Sequence, residues 1–238
     1  MNTPENTTKD NIDTNNHCRI VVLISGSGSN LQSLIDGQQQ GTLAIDIVAV
    51  VSNKANVLGL QRAEKAGIPH HVIDHRDYAD RESFDQQLAS TINQYQPDLI
   101  VLAGFMRILT ADLVRAYQGR MLNIHPSLLP KYPGLHTHQR ALDAGDDCHG
   151  ASVHFVTEEL DGGPTIIQAI VPITQGDDAD SLTTRVQQQE HIIYPIAVAW
   201  FAEKRLQLRG NHVQLDNETL SSTGYQIDRR QQTPIKEK

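Results

Sequence analysis

The sequence predicts an α/β fold, a single domain in which helices flank a mostly parallel, twisted sheet. Continuous apolar runs rich in β-branched residues, such as RIVVLIS (19–25) and AIDIVAVVS (44–52), are typical of strands buried on both faces. Segments with helical character alternate with these runs through the first half of the chain, which is the pattern of right-handed βαβ crossovers. With 39% apolar residues among 238, the chain is long enough to form one large core.

The elements of the first half follow one another in a regular order. Predicted strands lie at 19–25, 44–52, 70–74, 98–105 and 120–125, and predicted helices at 31–40, 55–68, 80–95 and 110–117. Gly67 suits the C-terminal end of the second helix, because glycine readily adopts the left-handed conformation found there. The third helix places Phe84, Leu88 and Ile92 at intervals of four, on one apolar face. Thr110 suits the N-cap of the fourth helix.

The pattern changes after Pro133. The second half is predicted to contain a helix at 136–145, strands at 150–157 and 164–174, and a long helical stretch at 181–206. Pro195 lies inside that last stretch and is expected to start a new turn or a kink, because proline removes a helical hydrogen bond. We expect this half to complete the sheet and to cover the ligand cleft.

The chain divides into a polar tail (1–18), one domain (19–210) and a polar C-terminal extension (211–238). The N-terminal tail is rich in Asn and Thr and lacks the apolar segment of a secretion signal. Disorder is predicted for this tail, and again from about Ser221 to Lys238, on the basis of their polar composition.

Charge and cysteine content limit the possible functions. The formal net charge is −8 and the pI is about 5.7, which argues against a protein that binds nucleic acid non-specifically. No apolar run approaches the ~18 residues of a membrane span. Cys18 and Cys148 are too few for a disulfide framework, so we expect two reduced thiols in a cytoplasmic protein. Neither nucleic acid nor a membrane is an expected partner.

A loop of small residues, SGSGSN (25–30), separates the first predicted strand from the first predicted helix. Glycines let the backbone approach an anion closely, and the start of a helix presents free N–H groups, so the loop is suited to hold one phosphate. The expected ligands are N–H groups near Gly28, Ser29 and Asn30. A plain tight turn is the alternative. The loop is not a dinucleotide fingerprint, because Leu31 occupies the place of the third glycine.

The stretch MLNIHPSLLPKYPGLH (121–136) places an amide and an imidazole two residues apart at the end of a predicted strand. Residues two apart in a strand point to the same side, so Asn123 and His125 can face one reacting centre. Both can donate a hydrogen bond to a developing oxyanion, and His125 can also move a proton. A purely structural histidine is the alternative. Asp161, which precedes two glycines and a proline, is a candidate carboxylate to keep His125 protonated.

Four motifs resemble the phosphoribosylglycinamide formyltransferases, a family of folate-dependent formyltransferases. They are SGSGSNLQSLID, VLAGFMRIL, NIHPSLLPKYPGLHTHQRAL and GASVHFVTEELDGGPTIIQ, and the resemblance covers residues 19–206. It implies a Rossmann-like formyltransferase fold and a transferase of de novo purine synthesis. In that family the amine of glycinamide ribonucleotide attacks the formyl group of the co-substrate, 10-formyltetrahydrofolate, through a tetrahedral intermediate. The resemblance also implies small-molecule substrates, no metal, and a monomer or homodimer.

The same resemblance implies roles for individual residues. Asn123 and His125 stabilise the oxyanion, His125 protonates the departing folate nitrogen, and Asp161 keeps His125 protonated and relays a proton from the amine. The ribonucleotide site falls on Gly28, Ser29 and Asn30, and on Glu190 for the ribose. The folate site falls on Arg81, Met106, Arg107, Ile108, Leu109, Asn123, Thr157 and Asp161. Some members carry a basic residue near the phosphate, where this chain has the neutral Gln187.

Histidine spacing raises the alternative of a metal site. His136 and His138 form a pair, and His149 or His154 is available as a third ligand. We do not expect a metal, and we expect His154 to support the catalytic site instead.

Three other functions compete with the one implied by the motifs. The deformylase that uses water and the transferase that acts on initiator methionyl-tRNA share the Asn-x-His core. The first is expected to carry an N-terminal regulatory domain, and the second a C-terminal extension and a basic surface. A non-catalytic nucleotide-binding module explains the glycine loop, but it does not explain Asn123, His125 and Asp161 together.

Overall fold

The computed structural model describes residues 17–230. Its strands are β1 (Cys18–Ile24), β2 (Ile45–Ser52), β3 (His70–Val72), β4 (Leu99–Leu102), β5 (Met121–His125), β6 (Cys148–Phe155), β7 (Thr165–Pro172), β8 (Leu206–Arg209), β9 (His212–Leu215), β10 (Glu218–Thr219) and β11 (Tyr225–Asp228). Its α-helices are α1 (Ser29–Gln39), α2 (Leu58–Lys65), α3 (Arg81–Gln94), α4 (Ala111–Ala116), α5 (Thr137–Asp143) and α6 (Ala179–Ala202). A 3-10 turn spans His75–Asp77.

Within residues 17–230, eight strands form one sheet in the order β11-β7-β6-β5-β4-β1-β2-β3. The pairs from β3 to β5 are parallel, β6 runs antiparallel to both β5 and β7, and β11 is parallel to β7. The predicted α/β fold with a mostly parallel sheet is confirmed. The second half of the chain completes the sheet, as expected.

The two faces of the sheet carry separate apolar clusters. Side chains of β1 alternate between them: Ile20, Val22 and Ile24 pack with α1 and α6, whereas Val21 and Leu23 pack with α3 and α4. All five are fully buried, each stabilising the fold by roughly 1.5–3 kcal/mol relative to exposure. The predicted apolar face of α3 contacts the second cluster. This packing fixes β1, β4 and β5 rigidly, and it is from their carboxyl ends that the candidate site is built.

Helix α6 continues through Pro195, so this proline does not start a new element. One hydrogen bond is lost at a proline in a helix. Ile193 and Tyr194 before it, and Ala197 and Val198 after it, are all buried, so packing on the sheet keeps the two halves in one helix.

The disorder predicted from Ser221 onward is wrong for the residues that form β11. Tyr225 pairs with Ile167 and Ile227 with Ala169, so β11 covers the edge of the sheet that β7 would expose. The Tyr225 ring also contacts Trp200 of α6, with ring centroids 5.6 Å apart. The extension therefore packs onto the domain through residue 228. The predicted disorder of residues 1–16 and 231–238 lies outside the described residues.

No helix in the described part of the chain has the length and the apolar character needed to cross a membrane.

Candidate active site

The candidate site lies where the carboxyl ends of three neighbouring parallel strands meet. The glycine loop follows β1, the segment Ala103–Thr110 follows β4, and Asn123 and His125 end β5. Open parallel sheets bind ligands at this edge. The fold therefore brings the predicted phosphate loop, the predicted folate wall and the predicted catalytic pair to one side of the molecule.

His125 is buried and lies between two oxygen acceptors. Its Nδ1 lies 3.4 Å from Oδ2 of Asp161, and its Nε2 lies 2.9 Å from the carbonyl oxygen of Tyr132. Only 5% of His125 is exposed. Each ring nitrogen of His125 therefore has an oxygen acceptor close to it. The structure thus brings together the imidazole and the carboxylate that the sequence places 36 positions apart (161 minus 125).

Asp161 is fixed in position by its own backbone and by a neighbouring loop. Its φ is 51°, in the left-handed region, and the backbone N–H of Gly134 donates to Oδ2 at 2.8 Å. A Cβ at Gly163 would lie 1.8 Å from the carbonyl oxygen of Phe155, so only glycine fits there. The turn predicted from the two glycines therefore holds the carboxylate against His125.

Asn123 is oriented by His154 on the adjacent strand. The amide Nδ2 of Asn123 lies 3.1 Å from Nε2 of His154, whose Nδ1 lies 2.9 Å from the carbonyl oxygen of Phe155. Burial lowers the pKa of His154, which favours the neutral ring. The network then assigns the proton to Nδ1, so that Nε2 accepts from Asn123. The second N–H of the amide remains available, and His154 lies beside the site as expected.

The loop after His125 is held by buried polar side chains of β6 and β7. The Ser152 hydroxyl donates to the carbonyl of Ser127 at 2.6 Å and accepts the N–H of Leu129 at 3.0 Å. The Gln168 amide donates to the carbonyl of Leu129 at 2.8 Å. Ser152 and Gln168 are at most 2% exposed, so these bonds form in a low-dielectric region that strengthens them.

The glycine loop leads directly into α1. Gly28 has a φ of 68°, and a Cβ there would lie 2.6 Å from Cα of Gly59 on α2. Its left-handed conformation turns the chain so that the first N–H groups of α1, at Ser29 and Asn30, point out of the helix end. A phosphate bound there interacts favourably with the helix dipole.

Helix α6 borders this loop on one side. The Asn30 amide donates to Oε2 of Glu190 at 2.8 Å, and the Gln187 amide donates to the Ser29 hydroxyl at 3.0 Å. Burial raises the pKa of Glu190, and the hydrogen bond from Asn30 partly offsets that increase. The hydrogen bond from Asn30 fixes Glu190 next to the glycine loop.

The segment after β4 presents an apolar, exposed surface. Met106 is 63% exposed and Ile108 52% exposed, which is unusual for such side chains at a strand end. Arg107 stacks over the Phe84 ring at 5.5 Å, and Leu109 packs partly on the second core cluster. Arg81, at the start of α3, is exposed.

Two buried side chains fix this segment at its ends. The N–H of Met106 donates to the Ser25 hydroxyl at 2.7 Å, and that hydroxyl donates to Oδ1 of Asn53. The N–H of Thr110 donates to Oδ2 of Asp85 at 2.6 Å. Burial raises the pKa of Asp85, and the hydrogen bonding with Thr110, followed by the charges of Arg107 and Arg81, partly offsets that increase.

The turn that carries Thr157 and Asp161 borders a cavity of about 1020 Å³. Residues 211–213 and 219–222 of the C-terminal extension line the same cavity. Thr157 and Asp161 therefore share one cavity with the extension, and the folate role of Thr157 stays a prediction.

A comparison with known proteins identifies the family. The formyl transferase family model matches residues 18–198. The chain belongs to the formyl transferase family.

Similar proteins share both sequence and structure with this formyl transferase. The phosphoribosylglycinamide formyltransferase of Escherichia coli (strain K12) is 54% identical over 209 residues, which cover 88% of this chain and 99% of the relative. The Haemophilus influenzae protein of the same name is 46% identical, covering 87% of this chain and 98% of the relative. The structure of phosphoribosylglycinamide formyltransferase from Coxiella burnetii, solved in complex with CHES, superposes with a TM-score of 0.85 at 53% identity, covering 89% of this chain and 99% of that one.

The histidine pair considered as a metal site has a different environment. Within the described residues of this formyl transferase, no three His, Cys, Asp or Glu side chains are grouped to hold a metal ion. His138 stacks edge-on against His149 at 5.1 Å, and burial lowers the pKa of both rings.

Sequence reasoning missed Ser25, Asn53 and Asp85, which fix the 106–110 segment. Asp85 carried a signal: it lies three residues before Leu88 and seven before Ile92, so the sequence places a carboxylate on the apolar face of the helix. In the structure it is only 3% exposed. Ser25 and Asn53 carried none, because small polar residues are common at strand ends.

Proposed function

We propose that the chain is a phosphoribosylglycinamide formyltransferase, which transfers the formyl group of 10-formyltetrahydrofolate to the amine of glycinamide ribonucleotide in de novo purine synthesis. The observation that carries this proposal is the convergence of Asn123, His125 and Asp161 beside a phosphate-type loop and an exposed apolar wall. Identity above 50% to a protein of that name, over nearly its full length, supports the choice of substrates.

The reaction starts when the amine nitrogen attacks the formyl carbon. A carbon–nitrogen bond forms, and the carbonyl π electrons move to the oxygen of a tetrahedral intermediate. The free N–H of the Asn123 amide and the imidazolium of His125 stabilise that oxyanion. In the structure, Nε2 of His125 bonds to the Tyr132 carbonyl, so a substrate oxygen competes for this donor.

Collapse of the intermediate breaks the bond between the formyl carbon and the folate nitrogen. His125 donates a proton to that nitrogen as it departs, and Asp161 accepts the proton released by the attacking amine, directly or through water. Asp161 also keeps His125 charged, since its carboxylate lies 3.4 Å from Nδ1. Asp161 takes up one proton and His125 gives up one, so the total charge of the enzyme and its bound ligands does not change.

The ribonucleotide occupies the loop side of the cleft. Its phosphate accepts from the N–H groups of Gly28, Ser29 and Asn30, and Glu190 accepts from a ribose hydroxyl. The hydrogen bond from Asn30 supports this role, because it orients Glu190 next to the loop. Gln187 contributes no charge and contacts Ser29 instead.

The folate occupies the side of the 106–110 segment. Met106, Ile108 and Leu109 supply an apolar surface for the ring system, and Arg81 and Arg107 are available to its carboxylates. Asn123, Thr157 and Asp161 contact the end nearest the reacting carbon. The wide exposure of Met106 and Ile108 supports this placement, since a bound ring removes that apolar surface from water.

We also place the enzyme in the cytoplasm, with small-molecule substrates alone and with no metal step in the reaction as written. Both cysteines are free, as is usual in a reducing compartment. Its acidic surface does not suit nucleic acid. A monomer or a homodimer is proposed.

A direct assay separates this function from its competitors. The purified chain is mixed with 10-formyltetrahydrofolate and glycinamide ribonucleotide, and loss of the formyl group is followed. We expect formylated ribonucleotide only when both substrates are present. Formate release without ribonucleotide would indicate the deformylase, formylation of methionyl-tRNA would indicate the tRNA enzyme, and ribonucleotide binding without product would indicate a binding module.

A further inference from the structure

Arg62, on α2, reaches across to the glycine loop. Its Nε donates to the carbonyl of Ser27 at 2.9 Å, and its Nη1 donates to Oε1 of Gln32 at 2.9 Å. Its Cδ would lie 3.6 Å from a Cβ at Gly28. The guanidinium is therefore held beside the loop from the α2 side, opposite the α6 residues that border the other side.

The charge of Arg62 is not neutralised by a carboxylate. Its two hydrogen-bond acceptors are a backbone carbonyl and a side-chain amide, and it forms no ion pair within residues 17–230. His191 of α6 also lies near Arg62: burial first, and then the charge of Arg62, lower the pKa of His191. Arg62 is partly buried, has no carboxylate partner among the described residues and is fixed beside the glycine loop. A bound anion would balance its charge.

We infer that Arg62 binds the phosphate of the ribonucleotide and sets the preference of the site for phosphorylated substrates. This inference rests on the proposed function, because it assumes a sugar phosphate at the loop. The N–H groups of the loop are neutral donors, and Gln187 on the opposite side is neutral too. Arg62 supplies a full positive charge, and charge-assisted hydrogen bonds to a phosphate are about twice as strong as neutral ones.

A purely structural brace is the competing role for Arg62. The bonds to Ser27 and Gln32 tie α2 to the loop and to α1, and their loss would distort the site even if Arg62 never touched a ligand. The two roles differ in one respect: a brace acts on every ligand of the loop, whereas a phosphate ligand acts only when the phosphate is present.

The test is a thermodynamic cycle that combines the Arg62→Gln substitution with removal of the phosphate from the ligand. Calorimetry gives the Kd of wild type and variant for glycinamide ribonucleotide and for the corresponding riboside, which lacks the phosphate. We expect the variant to bind the ribonucleotide about tenfold more weakly, and the riboside within about twofold of wild type. An equal loss for both ligands, or no loss for the ribonucleotide, would overturn the inference.

Two further variants keep the result interpretable. Arg19→Gln removes the same charge at the start of β1, about 20 Å from the loop at 3.3 Å per residue, and is expected to leave both affinities unchanged. Arg62→Lys retains a cation without the fork geometry and is expected to bind the ribonucleotide more tightly than Arg62→Gln. A lysine variant no better than the glutamine variant would contradict the role of charge.

A negative result for Arg62 and a negative result for the proposed function can be told apart. Wild-type enzyme that yields no formylated ribonucleotide would refute the function. The Arg62 cycle measures binding alone and is then repeated with ribose 5-phosphate and ribose.

Discussion

At the scale of single residues, the candidate site depends on side chains whose hydrogen-bond partners the fold fixes. Neutral His154 accepts from Asn123, while His125 faces oxygens on both sides and Asp161 is locked by the Gly134 amide. His125 on β5 and His154 on the adjacent strand β6 thus serve opposite purposes. Burial favours the neutral ring of His154, whose Nε2 accepts from Asn123, whereas both ring nitrogens of His125 face oxygen atoms.

His149 gives a stability prediction that follows from its burial. It is 1% exposed, and burial together with the charge of His138 lowers its pKa to about 4. A histidine with a lowered pKa binds its proton more readily in the unfolded chain, so its contribution to stability is present above pH ~6.5 and is lost as the pH falls toward 4.

We expect the free energy of unfolding of wild type to fall by about 2 kcal/mol more than that of His149→Gln between pH 7 and pH 5. Urea unfolding at several pH values measures this. Parallel stability curves for the two proteins would show that His149 does not titrate as its environment implies.

At the scale of elements, short segments between strands and helices form the candidate site, and buried polar groups hold them in place. The 106–110 segment is fixed at one end by Ser25 and at the other by Asp85. The loop after β5 is fixed by Ser152 and Gln168. Rigid walls of this kind lower the entropy lost when a ligand is bound.

Asp85→Ala tests the support of the 106–110 segment. It leaves the buried N–H of Thr110 without an acceptor, which costs roughly 1–3 kcal/mol of folding free energy. We expect KM for 10-formyltetrahydrofolate to rise about tenfold, while KM for the ribonucleotide stays within about twofold. Steady-state kinetics with each substrate varied in turn measures the difference.

Asp85→Asn is the matched control, because it keeps an oxygen acceptor for Thr110 and removes only the charge. Burial raises the pKa of Asp85, so little is lost when the charge is removed. Near-normal folate kinetics are expected. An asparagine variant as impaired as the alanine variant would show that the charge, rather than the hydrogen bond, matters.

Gly28→Val tests the phosphate loop as an element. A side chain at this position meets Cα of Gly59 and forces a β-branched residue into the left-handed region. We expect the Kd for the ribonucleotide to increase at least tenfold more than the Kd for folate, measured by calorimetry. Equal weakening of both ligands would argue against a phosphate at this loop.

At the scale of the whole molecule, the sheet order explains why distant parts of the sequence meet. β1, β4 and β5 are adjacent and parallel, so three loops separated by dozens of residues emerge at one edge. The antiparallel β6 and β7 then return the chain, and the turn between them delivers Asp161 to the end of β5. The apolar cluster on each face of the sheet holds in place the strands from which these loops emerge.

Much of this organisation follows from local sequence. The apolar runs predict the buried strands. Gly67, with a φ of 70°, lies at the predicted end of α2, and Thr110 caps α4 as predicted. Each of these features depends on the chemistry of neighbouring residues. The constrained turn at Asp161 was predicted from two glycines. The proximity of Asn123 to His154 and of Asp161 to His125 depends on strand order and register, which local sequence does not encode.

The structure differs from the sequence predictions where tertiary packing determines the outcome. β11 is short and polar, and it forms because β7 offers an open edge. α6 stays whole because residues on both sides of Pro195 are buried. The contacts of Arg62 and Asp85 are long-range bonds between helices and loops, and no spacing rule predicts them.

The central claim is that Asn123, His125 and Asp161 act together on one formyl carbon, and single-turnover kinetics tests it most directly. With both substrates saturating, we expect His125→Ala and Asp161→Asn each to slow formyl transfer by about 10²–10⁴-fold. Their Kd values for the ribonucleotide should stay within about twofold of wild type, as should both values for the exposed control His70→Ala. Formyl transfer at near wild-type rates in either variant would contradict the account.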